Sequence, residues 1–300
     1  PLLDGLSLAQ QHDIRSYEGN AHGLRLLTSL EMYAGEGGMR LTAASLGALV
    51  KYPWTAQTCP ARGKFNIYQA ELSYFRQVAE ALGLPARGPE QWARHPLSYL
   101  MEAADDICYA IVDLEDAVEM GILDLHEFEN LLGPIVDPEK IWQIREPRQY
   151  AAALRGTMVG RCVKDLADTF MRHHEALLAG ELPLKDLIAG ASPDVRDTLA
   201  AAKQLASDKI YRHRSKVVTE IAAYPCLAVL LETLVPPVRA FCLGSALSHR
   251  QQTQLALLPR PLTPGLSLYD GYLQVLDFVG GMTDNHAARL TRDISGVGIL

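Results

Sequence analysis

Apolar residues recur along this chain at intervals of three and four far more often than they alternate with polar ones. "LRLLTSLEMY" from Leu24 sets Leu26, Leu27 and Leu30 on one helical face, and "LTAASLGALVKY" from Leu41 repeats the pattern beyond the break "GEGG". The spacing predicts a helical pair over 24–50. "PWTAQTCPARGKFNIY" carries two prolines and a Lys-aromatic cluster and reads as a loop over 53–68. "QAELSYFRQVAEALGL" resumes a helix, closed by Gly83 and Pro85 in the order expected of a helix stop. "RGPEQWARHP" reads as a further loop, with Pro96 in the first turn of a helix over 97–120. After "LDLHEFENLLG" and the connector "GPIVDPEKIW" come helical runs at 148–178, 192–205 and 217–234, the last stopped by Pro236 and Pro237. The closing run is helix, a Gly-Gly break, then helix. Period-two alternation is nearly absent, so the expectation is an all-α fold.

Composition narrows the class. With 300 residues, 48% apolar and 21% charged, the chain can bury a sizeable core as one large or two smaller units. A net charge of −7 gives no general attraction for nucleic acid, leaving only local basic clusters such as "RHRSK" from Arg212 and "SHR" from Ser248. Five scattered cysteines without C-x-x-C spacing argue against a disulfide framework or a structural zinc site and favour a reducing cytoplasm. The longest apolar run, "IAAYPCLAVLLETLV", is interrupted by Pro225 and Glu232 and reads as too short to cross a bilayer, and no signal peptide is visible. No membrane association is expected. The opening at Pro1, without methionine, suggests a portion of something longer.

The chemistry concentrates in "MEAADDICYAIVDLEDA", residues 101–117. On a helix Asp105, Tyr109 and Asp113 share one stripe, with Glu102 and Asp116 near its edges and Asp106, Glu115 and Glu119 on other faces. An acidic stripe is usually a solvated face. Here Ile107, Cys108, Ala110, Ile111, Val112 and Leu114 surround it, which predicts a buried helix whose carboxylates need a cation. A hard oxygen ligand suits a divalent ion such as Mg²⁺ or Mn²⁺. Neither H-E-x-x-H nor H-x-x-E-H occurs to complete a site within one helix.

"LMEAADDICYAIVDLEDAVE" resembles the metal-ligand helix of the deoxyguanosine triphosphate (dGTP) triphosphohydrolases, a branch of the HD-domain superfamily. "YEGNAHGLRLLT" resembles that family's F-E-G-N-A-Q-x-x-R segment, with His22 where glutamine is usual. "LGALVKYPW", "GKFNIYQAE" and "GGMTDNHA" resemble three further family segments, in the same order. The resemblance implies an HD-domain-like helical fold, with a catalytic-core remainder over 1–132 and a helical region over 133–300 packed on it. It also implies metal-dependent hydrolysis of a deoxynucleoside triphosphate to deoxynucleoside and inorganic triphosphate. Carried over by position, Asp105 would ligate the metal, and Tyr109 and Asp113 would face the sugar and phosphates. Lys51 and Lys64 would meet the triphosphate, Tyr52 would line the pocket, and Asn20 would sit beside the nucleotide. Apart from the resemblance, Arg239 after the Pro236-Pro237 break is a candidate for a distal phosphate contact. Homo-oligomers, often hexamers, and modulation by nucleotides or single-stranded DNA are further implications.

The residues alone allow plainer roles: Lys51 and Lys64 as surface lysines, Tyr52 as a half-buried aromatic, Asn20 as a turn or helix-cap residue. The family's histidine and His-Asp pair, and its catalytic G-H-P-P-F-G-H-x-G-E segment, do not occur here. His12-Asp13 lies too close to "YEGN" to be that pair and reads as a helix-start aspartate beside a surface histidine. The competing expectation is a degenerate, metal-free helical module that binds nucleotide or single-stranded DNA in a regulatory role.

Overall fold

The computed structural model describes residues 2–32, 38–59, 63–137 and 143–297. The break "GEGG", the loop over 53–68 and the connector "GPIVDPEKIW" therefore fall partly outside the described residues. Among those described, thirteen α-helices and one two-stranded ribbon make an all-α fold, as the periodicity predicts.

The first helices are short: α1 (Leu8–Arg15), α2 (Gly19–Arg25) and α3 (Ala43–Leu49). Ser7 opens α1 with a reciprocal cap to Gln10, and Thr42 caps α3 through the Ser45 amide. A single π-helical turn, Leu26–Leu30, extends α2. The elements α2 and α3 and α4 (Leu72–Ala81) close on a small core of Leu24, Leu46, Val50, Ile67 and Phe75.

A larger core forms around α5 (Pro96–Glu119), packed against α6 (Leu125–Leu132), α7 (Pro147–Arg172) and α9 (Pro193–Leu205), with the short α8 (His174–Leu178) between the last two in sequence. Pro96 stands in the first turn of α5, where its missing N–H costs nothing, and the His95 ring caps the Leu97 amide at 3.3 Å. Ala103, Ile107, Ala110, Ile111, Leu114 and Ala117 form the buried side of α5. Their spacing of three and four leaves the acidic stripe on the opposite side, so α5 is half-buried rather than enclosed. Asp105 is exposed and Tyr109 is 53% exposed.

A third core joins α10 (Arg214–Cys242) to α12 (Leu268–Gly280), while α11 (His249–Leu255) and α13 (Asp284–Ile294) pack beside α10. Pro236 and Pro237 do not end this helix, contrary to the sequence expectation. Each proline removes a helical hydrogen bond, but Leu234 and Val238 are buried against Tyr269, Tyr272, Leu273 and Val275. Fully burying one such side chain contributes roughly 1.5–3 kcal/mol, enough for several to offset the proline cost of about 3 kcal/mol. The continuation also overturns the reading of this segment as too short for a bilayer: Lys216–Cys242 is long and apolar enough by length and composition. Its second half is packed into the molecule, with Leu230, Leu234 and Val238 buried.

Two smaller expectations change as well. The loop "RGPEQWARHP" contains an antiparallel ribbon, β1 (Ala86–Gly88) with β2 (Gln91–Trp92), turned by Glu90 in a left-handed conformation at φ +54°. His12 is exposed as expected, but Asp13 is not at a helix start. It lies late in α1, fully buried, and accepts from the Gln69 amide at 2.7 Å and the Tyr269 hydroxyl at 2.5 Å. Burial pushes its carboxyl up to about 6.

Candidate functional site

Two clusters of polar side chains meet along the outer side of α5. In the first, Glu18 is the hub. It caps α2, accepting from the Asn20 amide at 2.7 Å, from the Asn20 side chain at 3.0 Å and from Lys64 Nζ at 3.0 Å. The cap of α2 is thus Glu18, and Asn20 is held by it in the first turn. The Asn66 side chain donates to the Asn20 carbonyl at 2.9 Å, and its oxygen accepts from the Tyr52 amide at 2.7 Å. The Tyr52 ring tilts against Trp54, whose indole N–H donates to the Lys64 carbonyl. Asn20, Tyr52 and Lys64 are therefore linked to one another through Glu18, Asn66 and Trp54.

Lys51 connects this network to α5. Its ammonium lies 3.0 Å from Glu102, which also takes Arg94 at 2.7 Å, and stands 5.5 Å from the Tyr52 ring centroid. Burial works against the Lys51 charge, but the hydrogen bond and charge of Glu102 override it and raise its pKa.

The second cluster lies further along the stripe. Tyr109 stacks on Tyr211 with ring centroids 5.8 Å apart, and the Tyr211 hydroxyl donates to Asp113 at 2.7 Å. Burial, followed by hydrogen bonding to Tyr109 and Asp113, raises the Tyr211 pKa. Between the clusters Asp106 pairs with Lys203 at 3.1 Å. Asp105 is different: exposed, and without a hydrogen-bond or ion-pair partner among the described residues. The structure thus brings Lys51 to α5, Lys64 to Asn20 and Asp113 to Tyr109. Arg239 is placed elsewhere, in α10 beside Tyr272.

Sequence reasoning passes over Glu18, Asn66, Lys203 and Tyr211. Tyr211 is 98 positions from Asp113, at the C-terminal cap of a π-helical turn (Ala206–Ile210) that follows α9, so no local spacing reveals the pair. Glu18 was legible in principle, as a carboxylate immediately before a helix start.

The residues present do not complete a metal site. Among the described residues no group of three or more His, Cys, Asp or Glu side chains is gathered to hold an ion. Asp105 offers one carboxylate, whereas Mg²⁺ or Mn²⁺ needs several oxygen ligands.

Paired lysines, an unpaired exposed carboxylate and stacked tyrosines thus lie along one side of a half-buried helix of an all-α protein. The comparisons with known proteins give the family. No family model matches the chain. It is 40% identical over 98% of its length to a deoxyguanosinetriphosphate triphosphohydrolase-like protein of Pseudomonas aeruginosa, covering 69% of that protein. It is 32% identical over 97% of its length to another from Synechocystis sp., covering 67%, and 27% identical over 99% to one from Listeria monocytogenes, covering 69%. The chain belongs to the family of deoxyguanosinetriphosphate triphosphohydrolase-like proteins.

Proposed function

We propose that this protein hydrolyses a deoxynucleoside triphosphate, with dGTP as the first candidate, to the deoxynucleoside and inorganic triphosphate, and that the outer side of α5 holds the nucleotide. The observation that carries the reading is Asp105. Glu102, Asp106, Asp113 and Glu115 on the same helix each have a partner; among the described residues Asp105, Asp116 and Glu119 have none, and of these three only Asp105 lies between the Lys51 end and the Tyr109–Asp113 end.

In this reading Lys51 and Lys64 exchange their carboxylate partners for the triphosphate, and counter the charge that develops on the phosphoryl oxygens as water attacks the α-phosphorus and its bond to the sugar oxygen breaks. Tyr109, held flat by Tyr211, offers its face to the deoxyribose, and Asp113 accepts from a sugar hydroxyl. Asn20 and Tyr52 line the approach from α2. A Mg²⁺ or Mn²⁺ ion belongs to the proposal, with Asp105 as the ligand this helix would offer it.

Incubation of the protein with dGTP and Mn²⁺, followed by separation of the phosphate products, tests the reading. Inorganic triphosphate is expected, and Lys51→Met is expected to suppress it. Release of pyrophosphate, or no release at all, overturns the assignment.

A further inference from the structure

Beside α5, one side of α9 carries Arg196, Leu199, Ala200 and Lys203 at intervals of three, one and three, over about 10 Å of helix. Together with the segment 185–189, this side of α9 forms a cavity of about 240 Å³ to which α5 contributes Asp106. The apolar lining is Ile188, Ala189, Leu199 and Ala200, and no aromatic residue lines it. Its cations are Lys185, Arg196 and Lys203, a concentration of positive charge that stands out in a chain of net charge −7. Lys185 pairs with its chain neighbour Asp186 at 3.8 Å, and Arg196 with its chain neighbour Asp197 at 3.1 Å. The side chains of Lys185 and Asp197 are 83% and 70% exposed, and ion pairs so exposed exchange for another anion at little cost. Lys203 is bound to Asp106 at 3.1 Å, one turn of α5 beyond Glu102, the partner of Lys51. The charge of Asp106 is also among the causes that raise the Lys51 pKa, so this carboxylate acts on both lysines.

We propose that this cavity is a second site for condensed phosphate, which receives the inorganic triphosphate once the bond between the α-phosphorus and the sugar oxygen has broken. The proposal rests on the triphosphate-releasing reading above and adds to it a place for the product. As the anion leaves, Lys51 and Lys64 regain Glu102 and Glu18, and Lys203 exchanges Asp106 for a phosphate oxygen. Asp106 then has Lys51 as its nearest cationic counterpart, so the exchange leaves no charge stranded. Arg196 and Lys185 supply the further donors that a multiply charged chain of phosphates needs. A lining without an aromatic ring favours a bare phosphate chain over a nucleotide, whose base seeks a stacking face. Cations gathered around one cavity, rather than strung along a stripe, favour a short anion over a nucleic-acid strand. Asp106 and Asp186 in the same lining oppose the anion, which keeps the site weak enough to release what it receives.

Isothermal titration calorimetry with added inorganic triphosphate, in EDTA and without divalent ions, tests the proposal. Two binding events per chain are expected. Arg196→Met or Lys203→Met should weaken one of them by about tenfold, the pair together should remove it, and Lys51→Met should weaken the other alone, with helix content unchanged by circular dichroism. Asp106→Asn removes an opposing carboxylate and should tighten the α9 site by about threefold. Binding is read without turnover, so loss of the α9 site and failure of dGTP to yield triphosphate are separate results. A single binding event insensitive to Arg196→Met and Lys203→Met, weaker binding in Asp106→Asn, or a site that prefers dGTP or a single-stranded oligodeoxynucleotide to triphosphate would each overturn it.

Discussion

Glu71 gives the sharpest quantitative prediction, because it sits beneath the helix that carries Glu18 and Asn20. It is 3% exposed, and one oxygen accepts from Arg25 at 2.6 Å while the other, Oε2, is buried without a hydrogen-bond partner. Arg25 is shared with Asp277, which it grips through two nitrogens at 2.7 and 2.8 Å, so one cation faces two carboxylates. Burial raises the Glu71 carboxyl from 4.5 to about 7, against the opposing pull of Arg25. The sign follows from linkage: the folded protein keeps a proton that the unfolded chain has released, so this stability is fully present below pH 4.5 and is lost as pH rises to about 7. Over that window the loss is on the order of 3 kcal/mol, at about 1.4 kcal/mol per pH unit. Glu71→Gln keeps the volume, can still accept from Arg25 and never ionises. Urea unfolding followed by circular dichroism from about pH 5 to about pH 8 should show wild-type stability falling with pH and the variant falling less steeply, Asp13 supplying the remaining slope. At about pH 8 the variant should be the more stable of the two. A variant that is less stable there, or that has the wild-type slope, refutes the account.

Three further outcomes follow from the same geometry. Tyr211→Phe keeps the stack on Tyr109 and removes one hydrogen bond to the Asp113 carboxylate, so kcat/KM for dGTP should fall by about tenfold in steady-state assays with little change in Tm. Lys51→Met leaves Glu102 paired with Arg94, so thermal unfolding should shift by less than about 1 kcal/mol while triphosphate release falls about a hundredfold. Leu114→Ala opens a void on the fully buried side of α5 and should lower unfolding free energy by roughly 2–5 kcal/mol in urea titrations.

The helical class was legible because a period of three to four is a local property: α4, α5, α9 and α12 appear close to where apolar spacing sets them. The stripe of Asp105, Tyr109 and Asp113 is likewise a consequence of helix geometry alone. Family resemblance pointed to Asn20, Lys51 and Lys64 but not to Glu18, the carboxylate that holds Asn20 and Lys64. What apolar spacing could not decide was which side of α5 is buried, because apolar residues appear on most of its circumference; packing of α6, α7 and α9 chose the side bearing Ile107 and Leu114. Local rules also failed where tertiary packing outweighed them. Pro236 and Pro237 remain inside α10 because Leu234 and Val238 are buried against α12, and Asp13 is enclosed by Tyr269 from the far end of the chain. The bond between Tyr211 and Asp113, and the pairing of Asp106 with Lys203 beside an unpaired Asp105, depend on side chains that come together only when the helices pack.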